Sequence, residues 1–424
     1  SAGTRPRTRW KRSFAKRSAA DFAGFGYNLW AREPVLPYTI GFDARNIRDS
    51  GVGTYARNLV HALARIDPEN RYLLFARPQD RDSLGNLPGT FQPLFEGTPV
   101  YSARELVTLS WRLLRRRVDL YHSTHYVTPA VLQSPLVVTV HDIQHLFYPD
   151  FLPSRLSFLY AQRMIRRTLA RADRIIAVTQ STRADLIQHF EVDGRKVHVV
   201  YNGVDDAFRK KLSAEELERW RRDLGLPGPY ILFVGNPNHP RKNLDTMVQA
   251  YARARRIASF DAPLVCIGDR AGTEFKIRQR AANLGIAEQV RLLGRVAPEA
   301  LPALYQGATL FLYPTLFDGS AMPVVEAMAS GVAVITSNTS AIKEIAEGYA
   351  HLVDPLDIDG MAKAIAHTMS DPEHRTALAR LGGRRAEDFR WGQTARKNLE
   401  VYLAAIQERR ATPTTAEDPK GAAA

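Results

Sequence analysis

Two acidic residues eight positions apart, Asp318 and Glu326, mark the stretch of the sequence best suited to chemistry on a ligand. Between them lie a glycine and then Pro323 at the start of an Ala/Val/Met-rich segment, a pattern that predicts a loop leading into a helix. Free N–H groups at a helix start bind anions, and carboxylates accept hydrogen bonds from hydroxyls. The pair therefore suits a ligand that carries both hydroxyls and a diphosphate. The alternative is that Glu326 only complements its own helix dipole and that Asp318 is an ordinary turn residue.

Two basic residues form a second candidate site. Arg241 and Lys242 follow a predicted strand over residues 230–234 and precede a helix predicted to begin at Leu244. Asn243 is a suitable N-cap, so both cations are expected just ahead of a helix start, where they can neutralise an anion held by its N–H groups. The alternative for each is a charge on the solvated surface.

A glycine loop follows the first predicted strand, residues 38–42. The sequence Gly51-Val52-Gly53 lies between this strand and an amphipathic helix predicted to start near Tyr55. Strand, Gly-x-Gly loop and helix in this order are compatible with phosphate binding, although the motif lacks the third glycine of a dinucleotide fingerprint. A tight turn between strand and helix is the alternative.

Two histidines end neighbouring apolar runs in the first half of the chain. His122 closes the predicted strand 118–122, and His141 follows the predicted strand 135–140. A single histidine at a strand end is usually structural, but two at the same edge of a parallel sheet converge on one cleft. Asp142 either orients His141 or caps the following turn.

The elements that must position these residues alternate regularly. Short apolar runs and amphipathic segments succeed one another from residue 38, which is typical of parallel strands connected by helices. The predicted strands cover residues 38–42, 72–75, 118–122, 135–140, 174–178, 197–200, 230–234, 264–267, 290–293, 310–312 and 332–336. The fold class is therefore α/β, with two doubly wound Rossmann-like domains that face each other across a cleft.

The domain organisation follows from this alternation. A polar stretch after residue 205 predicts the boundary between the two domains. We assign residues 1–37 to a basic N-terminal extension, 38–205 to the first domain, 206–385 to the second, 386–410 to a closing helix, and 411–424 to a tail expected to be disordered. The extension is a segment that lies on a membrane surface, a targeting sequence or an appended tail.

Composition narrows the class of partner. The chain has 424 residues, 45% apolar and 24% charged, which is ordinary for a globular protein of two domains. Its net charge of +14 favours anionic partners. Nucleic acid is not expected, because the patterns of the common RNA-binding modules are absent and the single cysteine rules out a zinc finger. Cys266 lies in an apolar run and is expected in the core, which fits a reducing compartment.

Several motifs together resemble a known family. In chain order they are Gly51-Val-Gly53-Thr-Tyr55, Thr139-Val-His141-Asp142, Tyr201-Asn-Gly-Val-Asp205, Pro240-Arg-Lys242-Asn243, and Asp318-x7-Glu326 followed by Ala-Met-Ala-Ser-Gly331. Their types and order resemble the retaining glycosyltransferases of family 4, which have the two-domain GT-B fold. The resemblance covers residues 38–407, nearly the whole chain.

This resemblance implies a role for each site residue. A nucleotide-sugar donor would bind mainly to the second domain and an acceptor mainly to the first. The catalytic group implied comprises His141 beside the transferred sugar, Lys242 and Arg241 on the diphosphate, and Asp318 on sugar hydroxyls. The implied donor site comprises Glu326 on the ribose, together with Gly319, Ser320, Ala321, Met322, Gly235 and Asn236. Gly51, Val52, Gly53 and His122 would lie near the phosphates or the acceptor.

The sequence departs from the family pattern in two places. The usual Glu-Gly-Phe-Gly-Leu-Pro is replaced by Asp318-Gly-Ser-Ala-Met-Pro323, and the shorter acid reaches about 1.5 Å less far. Asn236 stands where many members have a basic residue, which leaves more of the phosphate charge to Lys242 and Arg241. The contact with the sugar is therefore less secure than the contact with the ribose.

The expected function is that of a retaining, metal-independent hexosyltransferase without a cofactor. The donor is a nucleoside diphosphate sugar, expected to be GDP-mannose, and the acceptor is a hydroxyl of a glycan or lipid-linked molecule in cell-surface polysaccharide or glycolipid assembly. Asp357-Ile-Asp359 has the spacing of a metal-bridged diphosphate site, but it lies at a predicted helix start and is interpreted as a cap.

The distribution of basic residues suggests where in the cell the protein acts. Arginine-rich segments at residues 111–117 and 163–174 suggest an anionic membrane surface as a further partner, so we expect a cytoplasmic protein that is peripheral on the cytoplasmic face. The alternatives are another GT-B enzyme, either a nucleotide-sugar epimerase or a phosphorylase, and a non-catalytic sugar-nucleotide-binding protein.

Overall fold

The computed structural model describes residues 37–49, 51–144, 154–226, 228–236, 239–268 and 274–411. The predicted basic extension, apart from residue 37, and the predicted tail, apart from residue 411, lie outside the described residues.

In the described part of the chain, the first lobe is built on a sheet of seven parallel strands in the order β3-β2-β1-β4-β5-β6-β7. The strands are β1 Thr39–Asp43, β2 Arg71–Ala76, β3 Phe91–Phe95, β4 Leu120–Ser123, β5 Leu136–Val140, β6 Arg174–Ala177 and β7 Val197–Val199. The helices between them are α1 Val52–Ile66, α2 Arg81–Leu84, α3 Ala103–Arg116, α4 Arg155–Arg171 and α5 Gln180–Phe190. Short strands buried on both faces, such as β5, explain the near-continuous apolar runs in the sequence.

The second lobe repeats this architecture with six parallel strands among the described residues, in the order β10-β9-β8-β11-β12-β13. The strands are β8 Ile231–Val234, β9 Leu264–Ile267, β10 Val290–Gly294, β11 Leu310–Tyr313, β12 Val334–Ser337 and β13 His351–Val353. The helices are α6 Ala214–Asp223, α7 Leu244–Ile257, α8 Glu274–Asn283, α9 Leu301–Gln306, α10 Met322–Ala329, α11 Ser340–Ala346, α12 Ile358–Ser370, α13 Pro372–Ala386 and α14 Trp391–Ala411. Two doubly wound α/β lobes are therefore present, as the sequence predicts.

The last helix returns to the first lobe. Trp391, Ala395 and Tyr402 of α14 are buried in one hydrophobic cluster with Leu59 and Leu63 of α1. The chain therefore crosses from the second lobe back to the first before it ends.

Each sheet reverses its strand order at a point that matters for binding. The reversal lies between β1 and β4 in the first sheet and between β8 and β11 in the second. In open α/β sheets, ligands bind beyond the carboxyl ends of the strands at such switch points. The loops that follow β5, β8 and β11 carry most of the candidate residues.

Two strands escaped the sequence analysis for a physical reason. β3 contains Gln92 and Pro93, β13 begins with His351, and both lie at sheet edges. An edge strand needs no continuous apolar run and tolerates proline. The prediction for Cys266 is confirmed, since it is buried in β9. Asp357 caps α12 by accepting a hydrogen bond from the Gly360 N–H at 2.9 Å, which confirms its interpretation as a cap.

Candidate active site

A cavity of about 540 Å³ lies between the strand ends of the two lobes. Loops from both sheets form its walls. The predicted site residues that line it are His141, Arg241, Lys242, Asp318, Glu326, Ser320, Met322, Gly235, Asn236, Gly51 and Val52. The structure therefore brings together groups that are up to 275 positions apart, between Gly51 and Glu326.

The other predicted residues, Gly319, Ala321, Gly53 and His122, do not line the cavity. His122 points into the core instead. Its Nε2 lies 2.8 Å from the Thr139 hydroxyl and its Nδ1 lies 2.6 Å from the Tyr402 hydroxyl of α14. Burial lowers the pKa of His122 to about 3, so this histidine is neutral and structural. Its assignment to an acceptor or phosphate loop is wrong, because its side chain leaves the strand on the face covered by α14.

The two glycines are needed for close backbone packing. A Cβ at Gly53 would lie 2.5 Å from the carbonyl oxygen of Asn46, so this residue allows α1 to start tightly after the loop. The tight-turn interpretation therefore describes Gly53. A Cβ at Gly319 would lie 2.1 Å from the carbonyl oxygen of His141, so Gly319 is where the second lobe touches the first.

Lys242, Asp318 and Tyr313 form the buried centre of the cavity wall. Lys242 Nζ lies 3.0 Å from Asp318 Oδ2, and the Tyr313 hydroxyl donates to the same oxygen at 2.8 Å. Burial alone would raise the pKa of Asp318, but Lys242 and Arg241 outweigh it and hold that pKa well below its usual range. Burial lowers the pKa of Lys242, and Asp318 opposes this effect. The carboxylate is therefore ionised and already paired.

The other oxygen of Asp318 binds its own loop. Oδ1 accepts hydrogen bonds from the N–H groups of Ser320 at 3.2 Å and Ala321 at 2.9 Å. Both residues belong to the nucleotide-sugar donor site that the resemblance implies. Ala321 adopts a left-handed backbone with φ of 48°, which turns the loop back over the carboxylate. The aspartate thus organises the loop as an Asx turn does.

Arg241 and Asn243, on either side of Lys242, each donate hydrogen bonds to backbone carbonyl oxygens. Arg241 NH1 donates to the Phe317 carbonyl oxygen at 3.1 Å and lies 3.6 Å from Asp318, with only 17% of its side chain exposed. A free surface charge is therefore the wrong description of Arg241. Asn243 stands at the N-cap position of α7, as predicted, but its side chain does not cap the helix. Its backbone is left-handed, and its amide donates to the carbonyl oxygens of Pro314 at 3.0 Å and Pro355 at 2.7 Å.

Glu326 lines the cavity from the first turns of α10. Its Oε2 accepts a hydrogen bond from the buried Tyr305 hydroxyl at 2.9 Å. Burial raises the pKa of Glu326 to about 7, despite this hydrogen bond. The hydrogen bond from Tyr305 uses only one of the two Glu326 oxygens. With a pKa of about 7, the carboxyl group changes its charge near neutral pH.

His141 lines the first-lobe side. Its ring packs edge-on against Tyr55, with centroids 4.8 Å apart. Burial lowers the pKa of His141 to about 4, although a hydrogen bond with the backbone of Thr124 opposes the shift. Its Nε2 is buried and has no hydrogen-bond partner among the described residues. Asp142 caps the next turn through the N–H of Gln144 at 3.2 Å, which is the second of the two roles considered for it.

The lobes are joined by hydrogen bonds beside the cavity. Thr179 donates its hydroxyl to the carbonyl oxygen of Gly319 at 3.1 Å. Glu344 of α11 accepts from the N–H groups of Gln180 and Ser181, both at 2.8 Å, at the start of α5. A carboxylate from the second lobe therefore caps a helix of the first.

Sequence reasoning missed several cavity residues. The main ones are Tyr101, Thr124, His125, Tyr126, Gln144, Asn202 and Tyr313. His125 carried a signal, because it follows β4 closely, whereas nothing near Tyr101 marks it as part of a site. In the described ranges, no group of three or more His, Cys, Asp or Glu residues is arranged to hold a metal ion. None of the described helices has the length and apolar character required to cross a membrane.

Comparisons with known proteins show which families the chain resembles. Residues 50–208 match the family model described as Glycosyltransferase Family 4, and residues 228–371 match Glycosyl transferases group 1. An O-antigen chain mannosyltransferase B from Escherichia coli is 27% identical over 69% of this chain and 76% of its own length. A D-inositol 3-phosphate glycosyltransferase from Salinispora tropica is 31% identical over 58% of this chain, which spans only 53% of that relative.

Solved structures agree in fold. Anabaena HepE in complex with UDP and glucose superposes with a TM-score of 0.68 at 18% identity, over 87% of this chain and 100% of that chain. WaaG, a glycosyltransferase involved in lipopolysaccharide biosynthesis, superposes with a TM-score of 0.67 at 14% identity, over 86% of this chain and 99% of that chain. At these identities the likeness concerns the fold.

Proposed function

This chain belongs to the family 4 glycosyltransferases and has the GT-B fold, and from this premise we propose that it transfers a hexose from a nucleoside diphosphate sugar to a hydroxyl group. The acceptor is a glycan or a lipid-linked molecule in the assembly of a cell-surface polysaccharide or glycolipid. The observation that carries the proposal is the buried group of Lys242, Arg241 and Asp318, which lines the same cavity as Glu326.

Lys242 and Arg241 are assigned to the donor diphosphate. When the bond between the sugar C1 and the phosphate oxygen breaks, negative charge grows on the leaving diphosphate. Fixed cations in a site shielded from water stabilise that charge without reorganisation. The acceptor oxygen bonds to C1 on the same face, and the leaving phosphate takes its proton, so that configuration is retained. In this proposal the reaction needs neither a protein nucleophile nor a divalent metal ion.

Asp318 is assigned a positioning role. Both of its oxygens are occupied by groups of the protein: Lys242 and Tyr313 on one side and the loop N–H groups on the other. This arrangement fixes the Lys242 ammonium and the loop that carries Ser320. The shorter acid of this chain therefore supports the cation and the loop rather than reaching the sugar itself.

Glu326 and His141 are assigned to the two ends of the donor. An ionised Glu326 accepts hydrogen bonds from the ribose hydroxyls with the oxygen that Tyr305 does not use. The neutral His141 ring offers its unpartnered Nε2 to a hydroxyl of the transferred hexose.

A membrane surface is proposed for the first lobe. Exposed apolar side chains lie on α3, on α4 and on the segment between β4 and β5; they are Val107, Trp111, Leu114, Val131, Leu156 and Leu159. Trp111 is 52% exposed and Leu156 is 77% exposed, although both are large and apolar. Arg115 lies over the Trp111 ring at 3.8 Å from its centroid, which places a cation beside the apolar patch.

Both helices are bonded to the segment between β4 and β5. Arg167 of α4 donates to the carbonyl oxygens of Thr128 at 3.1 Å and Pro129 at 3.0 Å, and the Val131 N–H donates to Ser110 of α3 at 3.0 Å. We propose that the exposed apolar side chains and the arginines of these helices form one membrane-facing surface, as in interfacial helices. Binding to vesicles of anionic lipid, but not to neutral vesicles, and its loss in high salt are the expected results. Equal binding to both vesicle types would contradict the proposal.

The donor is tested by thermal-shift measurements with GDP, UDP and ADP, followed by their sugar conjugates. GDP-mannose is the proposed donor, supported by the mannosyltransferase names among the relatives. Incubation with and without a panel of acceptors then separates the alternatives. Turnover of the donor with no acceptor beyond water or phosphate favours an epimerase or phosphorylase, and tight binding without turnover favours a non-catalytic protein. Loss of activity with EDTA that manganese restores would contradict metal independence.

A further inference from the structure

The first-lobe wall of the cavity carries aromatic rings that the donor assignments do not use. Tyr101, His125 and Tyr126 all line the cavity. The rings of Tyr101 and Tyr126 have centroids 5.4 Å apart at an angle of 41°, and those of Tyr101 and His125 are 5.2 Å apart at 57°. The three rings therefore present their faces and edges to one region of the cavity.

Tyr101 combines strain with exposure. Its backbone is left-handed with φ of 61°, a conformation that bulky residues rarely adopt, and 41% of the residue is exposed. Its hydroxyl accepts a hydrogen bond from Asn46 Nδ2 at 3.3 Å, which fixes the position of the ring. Strained backbone of this kind occurs preferentially at binding sites, where the surrounding structure maintains it. An exposed ring held in this way is suited to packing against a ligand.

A buried ionic group fixes the floor under these rings. The Arg45 side chain is almost wholly buried and contacts Asp43 at 2.6 Å and Glu105 at 2.8 Å. His125 Nε2 lies 3.2 Å from Asp43 Oδ2, and its Nδ1 accepts a hydrogen bond from the Val127 N–H at 3.1 Å. With both nitrogens used, His125 cannot turn. A rigid site of this kind loses little side-chain freedom when it binds a ligand.

The local charge favours a neutral ligand. Burial, Tyr126 and then Asp49 raise the pKa of Tyr101, with Glu105 acting in the same direction, so its hydroxyl stays neutral. The acids that surround Tyr101 would oppose an anionic group there. Besides His141, which is assigned to the donor, two first-lobe residues that line the cavity have a buried oxygen without a hydrogen-bond partner among the described residues: Gln144 Oε1 and Asn202 Oδ1.

We propose that Tyr101, His125 and Tyr126 form a subsite for a neutral sugar ring of the acceptor. The apolar C–H face of a pyranose packs on the aromatic rings, and its edge hydroxyls reach polar groups such as Gln144, which is the usual combination in small-molecule sites. Tyr101 also lies two residues before α3, the helix with the exposed Trp111. A lipid-linked acceptor at that surface would therefore have its sugar near the cavity entrance.

The test compares Tyr101→Ala and Tyr101→Phe with a control, Phe275→Ala, which removes an exposed ring of α8 in the second lobe that does not line the cavity. The probes are soluble 4-nitrophenyl hexosides. Their binding to the full chain is measured by saturation-transfer difference NMR at saturating nucleoside diphosphate. In a second assay they serve as acceptors, and the acceptor KM is measured with the nucleoside diphosphate sugar as donor. Tyr101→Ala is expected to weaken glycoside binding and raise the acceptor KM at least about 10-fold, because a stacked ring is lost. Tyr101→Phe and Phe275→Ala are expected to stay within threefold of wild type.

Two further measurements keep the result interpretable. Tyr101→Gly removes the ring and also relieves the strained backbone that Tyr101→Ala retains, so its Tm should lie above that of Tyr101→Ala while both lose glycoside binding. The Kd of the nucleoside diphosphate should be unchanged in every variant.

The inference rests on the proposed transferase function, but the two fail differently. A wild-type protein that binds no nucleotide would contradict the proposed function. Normal nucleotide binding combined with no Tyr101-dependent glycoside signal would overturn the acceptor subsite alone, and so would an equal loss of glycoside binding in Phe275→Ala.

Discussion

The ion pair between Lys242 and Asp318 allows stability and catalysis to be separated in one set of variants. Its charged atoms lie 3.0 Å apart, and their side chains are only 8% and 10% exposed. At an effective dielectric constant of about 20, Coulomb's law gives an attraction of about 5 kcal/mol at this distance. Removing one partner of a buried pair typically costs about 3–5 kcal/mol, because the other charge is left behind.

We therefore expect Lys242→Met to lower the free energy of unfolding of the second lobe by about 3 kcal/mol, near the lower end of that range. The cost is limited because Arg241 at 3.6 Å, Tyr313 and the two loop N–H groups still stabilise the Asp318 carboxylate. Adding Asp318→Asn to Lys242→Met removes the carboxylate charge that the single variant leaves without its lysine partner. The double variant should regain most of the lost stability in urea titrations followed by fluorescence.

Activity should not return with stability. Both Lys242→Met and the double variant are expected to lose at least about 100-fold in kcat/KM for the donor, the size of one fixed charge contact in the transition state. Asp318→Asn alone should lose about 10-fold or less, because the diphosphate of a bound donor would still pair with Lys242 and Asp318 only positions it. A double variant with kcat/KM within threefold of wild type would refute the assignment of Lys242 to the diphosphate. A double variant no more stable than Lys242→Met would refute the energetic argument.

Three further predictions follow from the site. The pKa of Glu326 is raised from its ordinary value of 4.5 to about 7, so the free energy of unfolding should fall as pH rises from 4.5 to 7. Affinity for a nucleoside diphosphate sugar should instead rise over this range, because the carboxylate ionises. Calorimetric titrations from pH 5.5 to 8.5 should show both trends, and Glu326→Gln should flatten them. Gly319→Ala places a Cβ 2.1 Å from the His141 carbonyl oxygen and should lower kcat about 100-fold while nucleotide affinity is retained. The control is Gly392→Ala, which should lose no activity because a Cβ there has nothing within 4 Å. Equal kcat values for the two variants in steady-state assays would contradict this prediction. Glu344→Ala removes three hydrogen bonds between the lobes, which come from the N–H groups of Gln180 and Ser181 and from the Tyr201 hydroxyl. It should lower kcat/KM about 10-fold and increase the radius of gyration in solution scattering. An unchanged radius would show that Glu344 does not hold the lobes together.

The sequence determined the architecture because strand and helix signals are local. Apolar runs separated by amphipathic segments predicted eleven of the strands, and the edge strands β3 and β13 were missed because their residues need not be apolar. The order of strand-end loops was enough to place Lys242, Arg241, Asp318 and Glu326 at one edge of the second sheet, because parallel strands expose all their carboxyl ends at the same edge. The resemblance to family 4 placed His141 of the first sheet at the same cleft.

Only the tertiary structure decided where the side chains point and what they meet. His122 lies in β4 and turns to Tyr402 of α14, whereas His125, three residues later, lines the cavity. Asp318 accepts hydrogen bonds from its own loop because Ala321 adopts a left-handed backbone that no sequence pattern announces. These features depend on loop dihedral angles and on partners hundreds of residues away. The local sequence therefore sets which groups reach the edge of the sheet, and the packing of the two lobes and the last helix sets which of them can meet a substrate.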